Sequence, residues 1–426
     1  MVAFIKQEPL PNPQNRKRRW QIPPLPSAVV RGFPGLSIIE EINDPPLAIL
    51  LWQRFNDILE WLRTPDARKR HLFALSAEYE AVLSHTTHAE EMRGALRGVS
   101  HMLEAGRGEH ARRMASFCEQ IGAWASREGF VETGAMYYLL AAHAAPTDQG
   151  LNIAAGRAER VCARYHRAEQ WFQRSIGLSR RAGDDETYAS AYLGWGLLEE
   201  RRGDHAAALV RYTRALRAAR RGQLRTLAAA AHHNMIPLAA QSGDFTSGQT
   251  HIVAAYKLYG KDATIIRLAA DAAAFWAWFG YFQLARSVYD TVVDRIAQLP
   301  DRVQVLANIG RAAAAMGDEA EYSRIRARAE ELASTGRHFP ARVWVDLAEG
   351  ARSLGHTRAA LDLAGRALEE AAARGEQATL AAAREVLGAV QSASPADRNT
   401  NAPERLQRFA SRMVKRVNGF PVRIET

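Results

Sequence analysis

The chain has 426 residues, 47% of them hydrophobic, and this composition excludes a disordered protein and allows a substantial buried core. Lysine and arginine number 56 against 46 aspartate and glutamate, a formal net charge of +10, which favours acidic partners such as nucleic acid, anionic lipid or acidic protein segments. The opening residues lack the apolar run of a signal peptide, and no stretch reaches the roughly 18 apolar residues that span a bilayer. We therefore expect a cytoplasmic protein without a transmembrane segment.

Residues 1–45 form the first predicted segment, an extended, proline-rich and basic arm. Nine of the 17 prolines lie within residues 1–46. Proline fixes φ and removes backbone donors, so we expect this arm to gain order only by lying on another surface. Its basic run makes nucleic-acid phosphates a candidate partner, although such runs are also typical of solvated tails. The candidate contact residues are Arg16, Lys17, Arg18, Arg19 and Trp20.

Residues 46–107 are predicted to form an N-terminal helical region. Apolar residues follow helical spacing from Pro46 onwards, and Asn43 or Asp44 is available as the N-cap. Two more helices are predicted at about residues 67–84 and 88–105. These two helices are candidates for a degenerate copy of the repeat that follows.

Residues 108–391 carry a repeated pattern of helices joined by short turns. The aligned turn sites are 34 to 40 residues apart. They are Gly129, Ala163, Gly203, Gly243, Gly280, Gly317 and Gly355. The residues seven before and five after each turn site are small in six of the seven copies. A missing side chain lets two crossing helices approach closely, so the pattern predicts stacked helical hairpins.

This pattern resembles the tetratricopeptide repeat. The small residue, turn glycine, alanine and aromatic residue of that family are matched at Gly196, Gly203, Ala208 and Tyr212. The copy that contains Tyr322 departs most, since alanine is expected there. The resemblance covers about residues 108–385 and implies an all-α fold, a right-handed superhelical solenoid of about seven to eight hairpins behind the extended arm. The longer period is similar to the variant found in regulatory proteins.

The resemblance also implies that the first helix of each hairpin lines a concave groove. Eight arginines occupy the groove positions of the family: Arg127, Arg157, Arg160, Arg201, Arg267, Arg311, Arg342 and Arg352. Candidates for anchoring and hydrogen bonding are His233, Asn234, Gln241, Trp278 and Asn308. Arginine pairs with a carboxylate through two parallel hydrogen bonds, so this groove suits an acidic peptide or a C-terminal carboxylate. A solvated surface on which the arginines pair with neighbouring glutamates is the alternative.

No pattern in the chain indicates catalysis. A glycine-rich phosphate loop, HExxH, GxSxG and the kinase signatures are all missing, so we expect neither an enzyme nor a cofactor or metal site. Cys118 and Cys162 lack metal-ligand spacing and are expected to be buried and reduced. The aromatic stretch at residues 271–289 is predicted to pack between repeats, with Trp276 or Trp278 left exposed as a contact.

The chain continues with a predicted linker at residues 392–403 and a basic amphipathic helix and tail at residues 404–426. Leu406, Phe409, Met413 and Val417 fall on one stripe of this helix. We expect the stripe to cap the exposed end of the array, because helical solenoids need such caps. Docking on a partner or an anionic surface is the alternative.

Together these patterns favour a non-enzymatic scaffold, adaptor or regulatory subunit that binds an acidic or extended protein segment in the groove. A second hypothesis is a peptide-sensing bacterial regulator whose N-terminal helices act on a target, since the layout resembles such tetratricopeptide regulators. A third is a helical-repeat RNA binder, which the positive charge permits. The repeats lack the recurring base-reading pair that a one-base-per-repeat code requires.

Overall fold

The computed structural model describes residues 22–27, 35–63, 89–105, 110–296, 298–333, 340–392 and 399–421. All regular elements in these ranges are helical, which confirms the all-α prediction there. The helix predicted at about 67–84 and the arm residues Arg16, Lys17, Arg18, Arg19 and Trp20 lie outside the described residues. No helix in the described ranges is both long and apolar enough to cross a bilayer.

Nineteen α-helices follow one another along the described chain. They are α1 Leu36–Glu41, α2 Pro45–Arg63, α3 Ala89–Ala105, α4 Ala111–Glu128, α5 Val131–Ala144, α6 Gln149–Val161, α7 Tyr165–Ala182, α8 Asp185–Arg202, α9 His205–Arg221, α10 Arg225–Gln241, α11 Phe245–Tyr259, α12 Thr264–Trp278, α13 Phe282–Val292, α14 Leu299–Ala315, α15 Glu319–Ala333, α16 Arg342–Ser353, α17 Thr357–Ala373, α18 Gln377–Gln391 and α19 Glu404–Val417. A 3-10 turn, Val293–Arg295, extends α13.

From α4 to α15 the helices pack as consecutive hairpins, each helix against the next, and α16 packs against α14 and forms the following hairpin with α17. All seven predicted turn sites have a positive φ, from 56° at Ala163 to 89° at Gly129. This left-handed conformation ends the first helix of each hairpin, and glycine adopts it without steric cost. The predicted turn positions are therefore confirmed.

The predicted small residues lie where paired helices cross. A Cβ on Gly122 would lie 3.2 Å from the carbonyl oxygen of Gly134, so α4 and α5 approach backbone to backbone. A Cβ on Gly196 would overlap the ring of Tyr212 on the partner helix. In the divergent copy the bulky Tyr322 is accommodated by Gly350 on α16, whose missing side chain leaves room for the tyrosine ring.

The first helices of successive hairpins also touch one another. Helices α6, α8, α10, α12, α14, α16 and α18 form such a series, and we call it the inner wall. In addition α18 contacts α8, so six of these helices form a closed circuit. The second helices, from α7 to α17, pack against the helices of this wall. Polar side chains of the inner wall are therefore brought near one another.

The N-terminal helices are attached to the first hairpin. The carboxylate of Glu41 accepts hydrogen bonds from the backbone amides of Glu132, at 3.0 Å, and Thr133, at 2.8 Å, and so caps α5. The hydroxyl of Tyr137 donates to the carbonyl oxygen of Leu51 at 2.8 Å. Of the two predicted caps of α2, Asp44 is the one used, since it accepts from the amide of Leu47 at 3.2 Å.

The arm follows the prediction in one part and departs from it in another. Residues 22–27 form no regular element and lie on α7, as expected of a segment ordered by a surface. Arg174 donates to the carbonyl oxygen of Pro23 at 2.5 Å, and Arg167 to that of Ser27 at 2.8 Å. The prediction of an extended chain is wrong at residues 36–41, which form α1, because burial of Ile38 in the N-terminal core stabilises this turn of helix.

The C-terminal helix α19 does not cap the end of the array, so that expectation is wrong. It packs on α12 and α13 in the middle of the repeats. The ring of Phe409 lies 5.3 Å from that of Tyr256 and 6.4 Å from that of Trp276, and Met413 is fully buried. The aromatic-rich α12 and α13 offer the large apolar surface that the stripe of α19 requires.

Candidate functional site on the inner wall

Carboxylates of the same chain neutralise most of the predicted groove arginines. The clearest case is Asp346, which is 3% exposed. It pairs with Arg311 at 3.3 Å and with Arg342 at 3.4 Å, and it accepts a hydrogen bond from Gln304 at 2.8 Å. A buried carboxylate shared in this way stabilises the contact of α14 with α16 and leaves little charge for a ligand.

Four other groove arginines also have a carboxylate partner. The pairs are Arg127 with Glu91 at 2.9 Å, Arg201 with Glu376 at 3.8 Å, Arg267 with Asp301 at 3.6 Å and Arg352 with Glu349 at 2.8 Å. The pairs of Arg127 and Arg267 are exposed and contribute roughly 0–1 kcal/mol, whereas the pair of Arg352 with Glu349 is largely buried. Six of the eight predicted groove arginines are therefore paired with carboxylates of the same chain, as the alternative in the sequence analysis expects.

Arg157 and Arg160 are different. Both lie on α6 and, three residues apart, share a face. Within the described residues neither has a carboxylate at ion-pair distance, and Nε of Arg160 is buried without a hydrogen-bond partner. Burial, followed by the charges of Arg201 and Arg157, lowers the pKa of Arg160 to about 10. The positive charge here is uncompensated.

The two acidic side chains nearest to these arginines have raised pKa values, so they are protonated more readily than free carboxylates. Burial raises the pKa of Glu200 to about 7, against the opposing effect of its hydrogen bond from Tyr212 and of Arg201 and Arg160. Burial also raises the pKa of Glu119, which lies near Tyr138 at the other end of the group. We call Arg157, Arg160, Arg201 and Glu200 the α6–α8 cluster. Its net charge is positive, and more so when Glu200 is protonated.

A contact between distant parts of the chain closes the wall beside this cluster. The hydroxyl of Tyr165 donates to the carbonyl oxygen of Gly375 at 2.8 Å. Arg201 approaches Glu376, the residue before α18, at 3.8 Å. We call Tyr165, Arg201, Gly375 and Glu376 the clasp. Sequence analysis missed it because its two sides belong to different repeats and share no motif.

The adjacent His232 and His233 contact side chains on two different helices. Nε2 of His233 lies 2.7 Å from Oδ2 of Asp271, which joins α10 to α12, and Nδ1 lies 3.3 Å from the hydroxyl of Tyr259. Nδ1 of His232 lies 2.9 Å from Nδ1 of His251 on α11. Burial and the neighbouring His251 and Arg220 lower the pKa of His232 to about 4, so it stays neutral near pH 7. His233 thus belongs to the inner wall and His232 to the packing.

A cavity of about 440 Å³ lies between α12 and α14. The predicted groove residues Arg267 and Asn308 line it, together with Asp271 and with Phe420 of the C-terminal tail. The carbonyl oxygen of Phe420 accepts a hydrogen bond from Arg295 at 3.3 Å. The tail therefore occupies one side of this cavity.

The remaining predicted residues are not brought together into one site. Trp276 is buried and donates to Gln249 at 2.9 Å, whereas Trp278 is 44% exposed. Gln241 is exposed at the end of α10, and Asn234 is half-buried. Among the predicted groove residues the structure brings together Arg157 and Arg160, which have no carboxylate partner, with Arg201, which pairs weakly with Glu376 at 3.8 Å.

The cysteines have no reactive environment. Cys118 is buried and Cys162 half-buried, and neither forms a disulfide. Burial raises the pKa of both thiols, so the nucleophilic thiolate is disfavoured. Among the residues that the structure describes, no three histidine, cysteine or acidic side chains group to hold a metal ion.

The sequence matches no protein-family model, and no curated protein is significantly similar to it. The geometry of the inner wall is therefore the basis for assigning a function.

Proposed function

We propose that this protein is a non-enzymatic scaffold or adaptor that binds an acidic segment of another protein at the α6–α8 cluster. One observation carries the proposal: Arg157 and Arg160 lie side by side without a carboxylate partner, while six other groove arginines already have one. Nε of Arg160 is buried without a hydrogen-bond partner, and an incoming carboxylate supplies one. The guanidinium groups of this pair supply the fork geometry that carboxylates prefer.

The neighbours of the pair define the ligand further. Arg201 adds a third cation, and Tyr138 lies close enough to Arg157 for their charges to interact. Each charge-assisted hydrogen bond contributes about 1.5–3 kcal/mol, so two or three give a useful affinity together with apolar contacts. The ligand is a short acidic motif or a chain terminus, because the carboxylates of the chain occupy the wall beyond α8.

The same packing supports a tetratricopeptide-like, right-handed superhelical architecture. Left-handed residues recur at all seven aligned turn sites, and the close approach of Gly122 to Gly134 has the geometry that the small-residue columns require. Proteins of this architecture act by presenting an extended surface to partners. A role as a binding subunit of a larger assembly agrees with that design.

A peptide-binding experiment tests the proposal. The probe is a fluorescein-labelled peptide of ten residues, rich in Asp and Glu, with either a free or an amidated C-terminus. The double variant R157Q/R160Q is expected to bind it at least 10-fold more weakly, about 1.4 kcal/mol. R352Q is the matched control, because Arg352 lies on the wall but pairs with Glu349 at 2.8 Å. Equal weakening by R352Q, or no binding by the wild type, contradicts the proposal.

Affinity capture from the native cell separates the groove from the arm. We expect the specific partners of the full-length chain to remain bound after removal of residues 1–45. Loss of all these partners would assign binding to the arm instead of the inner wall.

A further inference from the structure

Arg201 belongs to both the α6–α8 cluster and the clasp. Its Nη1 lies 3.8 Å from Oε1 of Glu376, close to the longest distance of an ion pair. Within the described residues Glu376 is the only carboxylate at ion-pair distance from Arg201, and the arginine side chain is 47% exposed. A guanidinium group has five N–H donors, so one long contact leaves donors for a second partner.

Glu376 is held more firmly than Arg201. Its carboxylate is 11% exposed. The hydroxyl of Thr379 donates to Oε2 at 3.1 Å, and Nη1 of Arg374 lies 3.8 Å from Oε1. Glu376 therefore keeps two partners when Arg201 moves away, which makes Arg201 the side chain that is able to change partner.

The clasp lies next to the helix that carries the other arginines of the cluster. A Cβ on Gly375 would lie 3.4 Å from the Cβ of Ala163, in the turn that follows α6. The hydroxyl of Tyr165, two residues later, donates to the carbonyl oxygen of Gly375 at 2.8 Å. Arg160 precedes Ala163 by only three residues. The cluster and the clasp are therefore neighbours on α6 and its following turn.

The cations of the cluster repel one another. Burial, followed by the charges of Arg201 and Arg157, lowers the pKa of Arg160 to about 10. Burial raises the pKa of Tyr165, and the charges of Arg201 and Arg160 oppose this rise. Without a ligand, repulsion from Arg160 favours the position of Arg201 beside Glu376. A carboxylate placed between Arg160 and Arg201 reverses that preference, because it attracts both.

We propose that an acidic ligand at the α6–α8 cluster draws Arg201 away from Glu376 and so loosens the clasp. This coupling rests on the proposed function, since it needs a ligand at Arg157 and Arg160. Such a ligand offers Arg201 a shorter, charge-assisted contact than the one of 3.8 Å to Glu376. Linkage is reciprocal, so the clasp lowers the affinity for the ligand by the same factor by which the ligand weakens the clasp. Ligand binding and closure of the inner-helix circuit therefore oppose each other.

The affinity of clasp variants for the fluorescein-labelled acidic peptide tests the coupling. Glu376→Gln is expected to bind the peptide about 2- to 5-fold more tightly, the range for loss of one weak competing ion pair. Tyr165→Phe leaves every charge in place and is expected to tighten binding as well. Glu369→Gln, at an exposed position on α17, is the matched control. It removes the same charge as Glu376→Gln and should change the affinity by less than about 1.5-fold.

A double-mutant cycle separates competition for Arg201 from a general effect of charge. In an Arg201→Gln background there is no guanidinium group to compete for, so Glu376→Gln should no longer tighten binding. If the gain persists in that background, it comes from long-range charge and the coupling is wrong. Unchanged or weaker binding by either Glu376→Gln or Tyr165→Phe in the otherwise wild-type chain also overturns it.

Hydrogen exchange measures the clasp in the unaltered chain. Saturating peptide is expected to accelerate exchange of the backbone amides in the first turn of α18, directly after Gly375 and Glu376. Arg201→Gln should not show this acceleration, because its clasp already lacks the ion pair that the peptide breaks. Unchanged or slower exchange in the wild type would contradict the coupling.

The coupling and the proposed function fail in different ways. If the wild type does not bind the peptide, both are wrong. If the wild type binds and R157Q/R160Q weakens binding, but the clasp variants leave the affinity unchanged, the coupling alone is wrong.

Discussion

The hydroxyl of Tyr165 donates a hydrogen bond to the carbonyl oxygen of Gly375 at 2.8 Å, although 210 residues separate the two in sequence. In an open stack of hairpins each unit touches only its neighbours, and the ends fray independently. The clasp connects the second hairpin to the start of α18 and so couples units that are far apart. The stability of the terminal helices therefore depends on the hairpin near the other end.

Loss of the clasp is expected to open the circuit of inner helices. Tyr165→Phe combined with Glu376→Gln removes one neutral hydrogen bond and the two weak ion pairs of Glu376 with Arg201 and Arg374, about 1–2 kcal/mol together. Small-angle scattering should show a larger radius of gyration, and hydrogen exchange should increase in α18. Glu369→Gln, on the exposed face of α17, is the control. Identical scattering for both variants would mean that the clasp does not hold the ends together.

Gly196→Ala is expected to destabilise the third hairpin, formed by α8 and α9. The new Cβ would overlap the ring of Tyr212, which is fully buried and hydrogen-bonded to Glu200. Overpacking of this kind costs about 1–3 kcal/mol. Gly388→Ala is the control, because a Cβ there meets nothing within 4 Å and alanine favours the helix by about 0.4–1 kcal/mol. Urea denaturation of both variants measures the difference, and a loss of stability in both would contradict the packing explanation.

Ala163→Gly is expected to stabilise the protein or leave it unchanged. Ala163 has a φ of 56°, where a side chain costs about 1–2 kcal/mol, and glycine removes this cost while adding freedom to the unfolded chain. Gln223→Gly, at a φ of 55° in another turn, is the comparison. Gln223 is not part of the clasp. If Gln223→Gly raises the melting temperature and Ala163→Gly does not, the Cβ of Ala163 contributes to the contact with Gly375. Melting temperatures provide the measurement.

Glu200 is expected to make stability depend on pH. Its pKa is raised from 4.5 to about 7, so between these values the folded protein binds more protons at this site than the unfolded chain. The free energy of unfolding therefore falls as pH rises from about 4.5 to 7. Glu200→Gln should remove this part of the slope, whereas Glu186→Gln, at an exposed position in the first turn of α8, should retain it. Denaturation curves at pH 5, 6, 7 and 8 decide the question, and an unchanged slope in Glu200→Gln would refute the assignment.

The sequence was sufficient to predict features that repeat locally. A left-handed turn residue recurs in all seven copies, and small residues such as Gly122 and Gly134 recur where paired helices cross. Both features therefore leave a periodic signal in the sequence. The position of α19 leaves no such signal: its apolar stripe shows that the helix packs, but several surfaces of the array could receive it. The sharing of Asp346 between Arg311 and Arg342 depends on how side chains of two hairpins meet. Which groove arginines keep free charge could therefore be read only from the structure.

The cap that Glu41 provides for α5 has a consequence for synthesis of the chain. Glu41 precedes its partner Glu132 by 91 residues, and ribosomes add roughly 5–20 residues per second. During those roughly 5–20 seconds of elongation, Leu51 on α2 lacks Tyr137, its hydrogen-bond partner on α5. Helices α1 and α2 are thus translated before α5 but reach their final packing only when the first hairpin has emerged.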